Sequence, residues 1–398
     1  MVAVALFFQF FLLLLPQVCS LEFVHPGLMV TNANIELAKN QISAKKDPWL
    51  SSWNRLISLQ CSNTPYTSSA VNTIYRGDWG TNNANVHLLW QDIAAAFNLA
   101  LRWKISGDTQ YADAAAKILV SWGETLQTLG GGDDKYLTAG LQGYELANAA
   151  ELLRGYPPFA KNGLAIVTDM LLRVILPMNE KFLNHGEGSE HNVKHFFANW
   201  ELCNVASAMA IGVLAENQTA WDFGIHYFKN GSGNGCIDNA ITNIVQEPGT
   251  GNPLGQGQES GRDQGHSALG IQLLGVIGQQ AWNQGVDLFS YNGSRILLGA
   301  EYFARYNLGN DVPFVPYTNG IVHFSEISSA SRGNARPTWE LLNNHYVVIK
   351  GLDAPWTAKY LNHSLEVFYG YEDGIGSRGG ASGYFDGLGW GSLLYRSG

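Results

Sequence analysis

The feature of this sequence that most constrains its fold is a helical spacing of apolar residues that continues through almost the whole chain. Between positions 88 and 104, apolar residues recur three and four apart, from Trp90 through Phe97 to Leu101. The pattern restarts at Tyr111 after a short Ser-Gly-Asp turn. This spacing puts the apolar side chains on one face of each helix and predicts a helical hairpin.

The same paired pattern recurs along the chain, at 144–153 with 163–182, 193–215 with 220–229, 267–280 with 294–306, and 338–349 with 355–369. No Pro- or Ser-rich linker separates the pairs, so we expect residues 21–398 to form a single domain. Successive helical hairpins predict an all-α fold, an (α/α) toroid or incomplete barrel. Its inner helices and their loops would surround a cleft. The glycine-heavy segment 370–391 is predicted either to pack as loops that close the rim or to be poorly ordered.

Residues 1–20 are predicted to be a secretory signal peptide. An apolar stretch at 7–15 is too short to cross a bilayer and is followed by the small residue Ser20. We therefore expect a secreted, extracellular protein. Sequons are predicted to carry N-glycans in surface loops, at Asn217, Asn230, Asn292 and Asn362.

Three cysteines remain after the signal, so at most one disulfide forms within the chain, and Cys203 with Cys236 is the pair that we expect. The net charge is −9 and no basic run is present, which argues against nucleic-acid binding. An acidic polymer would need cations gathered locally in a groove. Twelve Trp and seventeen Tyr suit stacking on sugar rings, although core packing explains them equally well.

The densest group of reactive side chains lies in the segment 255–266, which holds Glu259, Arg262 and His266. Ser260, three residues before Asp263, predicts a helix N-cap, so Arg262 and His266 would share a face of the first turn. The alternative is that these charges only cap the helix and that His266 is a structural histidine.

A second polar group is His191, His195 and Asn199, which lie on one face if the segment is helical. Two histidines four apart can chelate zinc, but no third ligand is evident, so no metal or other cofactor is predicted. A polar groove wall or a buried, hydrogen-bonded face are the remaining interpretations.

Two further segments offer groups for binding. Arg336 precedes Pro337 at the predicted start of a helix, where it could bind a carboxylate or form a surface salt bridge. Asn83 lies in an amide-rich segment, 79–85, that could bond sugar hydroxyls or be an ordinary loop.

Several segments together resemble the alginate-lyase-like polysaccharide lyases: Phe23–Leu28, Trp103–Asp108, His195–Trp200, Gln258–His266 and Tyr306–Gly309. The resemblance covers nearly all of the chain after the signal. It implies an α/α toroid that cleaves a uronic-acid polymer, alginate or glucuronan, by β-elimination.

The resemblance also implies roles for particular residues. The C5 proton of a uronate is removed only once the neighbouring carboxylate is neutralised. Asn199 suits that role, together with Arg262 or a protonated Glu259. His266 is predicted to be the base or to assist it.

A tyrosine is expected to protonate the departing O4. Tyr302 is preferred because Arg295, seven residues earlier, would lie on the same helical face, where its charge could stabilise a phenolate. Tyr306 and Tyr346 are the alternatives. Relatives pair Asn with His in one segment, whereas here Trp200 follows Asn199 and the Asn344-His345 pair lies elsewhere. The predicted substrate-binding residues are His195, Trp200, Arg336, His345 and Asn83.

Two other functions fit the same sequence. A glycoside hydrolase would use Glu259 and Asp263, although four residues apart on one helix is a poor arrangement for flanking a bond. A secreted carbohydrate-binding protein without catalysis would need only the aromatic residues.

Overall fold

The structure is a computed structural model that describes residues 22–77, 84–188 and 192–397. The predicted signal peptide, Asn83 and His191 lie outside the described residues.

The helices are α1 Asn32–Ser43, α2 Trp49–Ser58, α3 Val86–Ser106, α4 Thr109–Thr125, α5 Asp134–Leu153, α6 Leu164–Met170, α7 Leu176–Leu183, α8 Ala198–Leu214, α9 Gln218–Asn230, α10 Ile237–Ala240, α11 Gln264–Asn283, α12 Tyr291–Asn307, α13 Trp339–Asn343, α14 Pro355–Val367 and α15 Gly391–Leu394. Three π-helical stretches lie at Phe159–Gly163, Leu171–Ile175 and Asn344–Ile349, and 3₁₀ turns lie at Gln60–Ser62 and Ser382–Phe385. Every helical hairpin predicted from the apolar spacing is present. The local pattern therefore located the helices well.

The described strands are short and form three two-stranded sheets. They are β1 Thr73–Tyr75, β2 Thr128–Gly130, β3 Ile241–Gln246, β4 Pro253–Gly257, β5 Tyr317–Asn319 and β6 Val322–Phe324. β1 pairs with β2 in parallel, whereas β3–β4 and β5–β6 are antiparallel. The last two sheets position the candidate site, because they flank the turn after β4 that carries Glu259.

The predicted (α/α) toroid is confirmed. Helices α5, α8 and α11 are buried on almost every side, whereas α4 and α9 bury one face. A helix that is apolar nearly all round belongs inside and an amphipathic one outside. α5 packs against α3 and α8, and α8 in turn packs against α9 and α11. The inner helices thus follow one another around the ring.

The glycine-heavy tail is packed, which decides between the two expectations for it. Phe385 stacks on Trp90 of α3 with ring centroids 5.6 Å apart. The Trp390 indole N–H donates to the Asn98 side chain at 2.8 Å. Aromatic burial and a satisfied indole N–H hold this segment against the inner helix α3.

The expected Cys203–Cys236 disulfide is wrong, since Cys61, Cys203 and Cys236 are all free. Cys203 lies inside the interface between α8 and α5, where its sulfur donates to the Trp200 carbonyl at 3.1 Å. Among the described residues, no helix is long and apolar enough to cross a membrane.

The sequons do not all lie in loops as expected. Asn217 caps α9, Asn230 is its last residue, and Asn362 lies on the exposed side of α14. The N-glycans themselves remain a prediction.

Candidate active site

Helix α11 begins at Gln264, and its N-cap is Asp263 rather than the predicted Ser260. The Asp263 side chain accepts a hydrogen bond from the His266 backbone N–H at 2.8 Å. This satisfies one of the free donors in the first turn. Arg262 consequently lies before the helix, so the expectation that it shares a helical face with His266 is wrong.

Helix α8 begins at Ala198, five residues later than predicted. The free backbone N–H groups of Ala198 and Asn199 donate to the side chains of Gln258 and Glu259, both at 2.9 Å. A distant segment therefore caps this helix, and the carboxyl group of Glu259 lies at its positive end. His195 lies in the loop before α8, so the predicted helical face shared by His195 and Asn199 does not form.

Glu259 is the centre of the site and only 3% of it is exposed. Besides the backbone bond, its carboxyl group accepts from the Asn199 side-chain amide at 3.0 Å and from the Arg262 guanidinium at 2.9 Å. Burial raises the pKa of Glu259, and Arg262 opposes that rise. The structure thus brings together Asn199, Glu259 and Arg262, the three residues predicted to neutralise a substrate carboxylate.

Two groups in this cluster, the Asn199 carbonyl and the Arg262 guanidinium, bear on how a ligand would bind. The side-chain carbonyl of Asn199 is buried and has no hydrogen-bond partner among the described residues. The Arg262 guanidinium lies over the Phe197 ring, 4.0 Å from its centroid. A planar cation stacked on an aromatic face keeps its orientation.

His266 lies beside this cluster with 42% of its side chain exposed. Its Nδ1 is 2.6 Å from Oδ2 of Asp263, and it is close enough to Glu259 to lower the pKa of that carboxyl. Burial alone would raise the pKa of Asp263, but hydrogen bonds from the His266 ring and backbone bring it down to about 2. Asp263 is therefore ionised near pH 7 and holds the Nδ1 edge of His266.

Sequence reasoning missed Tyr317 and the hairpin β5–β6. The Tyr317 hydroxyl donates to the Gln258 carbonyl and accepts from the Gly261 N–H at 3.1 Å. Asn319 accepts from the side chains of both Gln258 and Asn234. The hairpin thus fixes the turn that carries Glu259. No local signal links residues 60 positions apart, so only the folded chain reveals this support.

Tyr302 is buried, and its hydroxyl donates to the Pro313 carbonyl at 3.0 Å. Burial raises the pKa of Tyr302 above its usual range. Arg295, expected to stabilise its phenolate, instead donates to the Ile241 carbonyl at 2.7 Å. Proton transfer from Tyr302 would therefore require its bond to Pro313 to break.

The two alternative tyrosines are also buried. The Tyr346 hydroxyl donates to the Phe289 carbonyl at 3.0 Å. Tyr306 is 5% exposed and lies beneath the guanidinium of Arg332.

The remaining predicted binding residues are scattered. His195 and Trp200 are half-buried and pack against Phe196, with centroids 4.9 and 5.1 Å from its ring. Arg336 pairs with Asp386 at 3.2 Å, so its guanidinium already has a carboxylate partner. His345 is 1% exposed, and the structure does not bring it to the site. Within the described ranges, no group of three or more His, Cys, Asp or Glu side chains could hold a metal ion.

Comparison with known proteins places this geometry in a family. The profile of the alginate lyase family matches residues 46–314. No curated protein sequence matches significantly.

Solved structures share the fold at low sequence identity. Alginate lyase A1-III from Sphingomonas species A1 is 13% identical, with 94% of this chain and 96% of that one covered and a TM-score of 0.57. A variant of alginate lyase A1-III complexed with a tetrasaccharide is 14% identical, with 94% and 95% covered and a TM-score of 0.59. An alginate lyase from Bacteroides ovatus is 12% identical, with 71% and 84% covered and a TM-score of 0.50. Since the family profile spans more than half of its length, this chain belongs to the alginate lyase family of polysaccharide lyases.

Proposed function

We propose that this protein cleaves a uronic-acid polymer, alginate or glucuronan, by β-elimination. The observation that carries the proposal is the cluster of Asn199, Glu259 and Arg262 beside the exposed imidazole of His266. It combines a site for a carboxylate with a group that can accept a proton.

The substrate carboxylate binds against Arg262 and the Asn199 amide, with Glu259 as a proton donor when it is protonated. This withdraws negative charge from the uronate and makes its C5 proton more acidic. Burial favours the protonated form of Glu259, which suits that role.

His266 then removes the C5 proton. The electron pair of the C5–H bond forms the C4=C5 double bond, the C4–O4 bond breaks, and O4 takes a proton. The imidazolium that His266 has become can supply this proton, so one residue can serve as base and then as acid. Tyr302 stays a sequence-based prediction for the acid.

The geometry supports a lyase better than a glycoside hydrolase. Glu259 is buried and bonded to Asn199 and Arg262, and Asp263 is bonded to His266 through both oxygens. Both oxygens of Asp263 are occupied by His266, so this carboxylate cannot position a water, and a separation of four residues at a helix start is a poor arrangement for two carboxyl groups that must flank a glycosidic bond.

The test is to incubate the purified protein with polymannuronate, polyguluronate and polyglucuronate. A lyase produces 4,5-unsaturated ends that absorb in the ultraviolet, and its fragments lack the water that hydrolysis adds, which mass spectrometry detects. Saturated fragments would support the hydrolase, and binding without cleavage would support the non-catalytic protein.

We further propose that the protein is secreted and carries N-glycans. Exposure of Asn230, Asn292 and Asn362 supports the N-glycans, and the apolar segment at 7–15 is the basis for secretion. Secretion from a eukaryotic host, with a mass decrease on enzymatic deglycosylation, tests it.

A further inference from the structure

The carboxylate of Asp263 makes two bonds to the same residue. Oδ1 accepts from the backbone N–H of His266 at 2.8 Å, and Oδ2 lies 2.6 Å from its Nδ1. The backbone bond fixes the carboxylate, so the acceptor for the imidazole is in place whatever the substrate does. An ionised carboxylate can only accept, which requires Nδ1 to carry a hydrogen.

We propose that Asp263 is a positioning residue that holds His266 as the Nδ1–H tautomer and leaves Nε2 as the proton acceptor. The same carboxylate stabilises the imidazolium after proton transfer. The proton-acceptor role rests on the proposed function, whereas the tautomer does not.

The other charged groups around His266 fit this arrangement. Nε of Arg262 lies 3.8 Å from Oδ2 of Asp263 and helps to keep that carboxylate ionised. Glu259 is already engaged by Arg262 and Asn199. No described residue hydrogen-bonds to Nε2 of His266, so this atom remains available to a ligand.

The variant Asp263→Asn tests the proposal. Its amide oxygen can still cap the helix, but its –NH₂ group is a donor and would favour the opposite tautomer, in which Nε2 carries the hydrogen. We expect kcat to fall at least about 100-fold, with KM changed by less than about 3-fold. ¹⁵N NMR of the imidazole should show Nδ1–H in the unaltered protein and Nε2–H in the variant.

Asp108→Asn is the matched control, because Asp108 caps α4 through the Gln110 N–H at 3.1 Å and has no histidine partner in the described part of the chain. It should change neither kcat nor the tautomer. Asp263→Ser keeps a capping oxygen without a carboxylate, and it should also lose kcat, so the proposal stays testable if the Asn variant folds poorly.

Equal kcat in the Asp263→Asn and Asp108→Asn variants would overturn the proposal, as would an Nε2–H tautomer in the unaltered protein. If no polyuronate yields unsaturated ends, the proposed function fails, while the NMR measurement still decides the tautomer.

Discussion

His266 and His345 both come from polar segments of the sequence, yet their surroundings are opposite. His266 is 42% exposed and bonded to Asp263. His345 is 1% exposed, its ring stacks on Phe289 with centroids 3.8 Å apart, and neither of its ring nitrogens has a hydrogen-bond partner among the described residues. An imidazole transfers protons through an accessible nitrogen, and a hydrogen bond to its other nitrogen fixes the tautomer; of these two histidines, only His266 is both exposed and bonded in this way.

Burial lowers the pKa of His345 to about 4, although Asp287 opposes the decrease. His345 is therefore neutral near pH 7, and its part in the molecule is packing. The contrast teaches that a histidine beside an asparagine in the sequence is a weak indicator of a site.

The largest effect should come from His266→Gln. Removing the proton acceptor should lower kcat by about 10³-fold or more, within the range that general acid–base catalysis supplies. The rate of formation of unsaturated uronate measures it. His226→Gln, on the exposed side of α9, is the control and should be fully active. A fully active His266→Gln variant would contradict the role of His266 as the proton acceptor.

Arg262→Lys should have the next largest effect. Lysine keeps the charge but loses the planar group that stacks on Phe197 and bonds to Glu259, so kcat/KM should fall by about 10- to 100-fold. Arg332→Lys is the matched control, since Arg332 lies 3.9 Å from the centroid of the Tyr306 ring and, among the described residues, bonds only to backbone carbonyls. Equal losses in both variants would indicate a purely structural role for Arg262.

The variant His345→Leu tests the buried histidine, through the dependence of folding stability on pH. The folded pKa of His345, about 4, is below its ordinary value of 6.5, so the unfolded chain binds the proton more tightly. His345 therefore stabilises the fold fully above pH 6.5, and this stabilisation is lost as the pH falls towards 4.

Between pH 6.5 and pH 5 this amounts to about 1 to 2 kcal/mol of unfolding free energy. Urea unfolding at both pH values should show the loss in the unaltered protein and a smaller loss in His345→Leu, whose activity should be unchanged. Identical pH dependence in the two proteins would contradict the lowered pKa of His345.

Tyr302→Phe should have the smallest effect. The hydroxyl bonds to the Pro313 carbonyl, so its removal should cost about 1 kcal/mol of stability and leave kcat nearly unchanged. Tyr346→Phe, which loses an equivalent bond to Phe289, is the control. A 100-fold loss of kcat in Tyr302→Phe alone would instead support the sequence-based assignment of Tyr302 as the acid.

Much of the candidate site was predictable where its geometry is local. Glu259, Arg262 and His266 lie within eight residues, and Asp263 lies three positions before His266, a spacing that places side chains together at a helix start. Asn199 was singled out from a helical spacing with His191 and His195, although His195 proved to lie before the helix, and its role came from the resemblance to the family. The support from Tyr317 and the burial of His345 were not predictable, because each depends on segments far apart in the chain.

The sequence by itself determined the helical hairpins of the toroid and the polar turn before α11, because apolar spacing and capping act over a few residues. Only the tertiary structure decided where α8 begins, since Gln258 and Glu259 cap it from 60 residues away. It also decided which histidine is exposed and which tyrosine hydroxyls are engaged. Burial and long-range hydrogen bonds exist only after the helices have packed, and these interactions turn a polar sequence segment into a site.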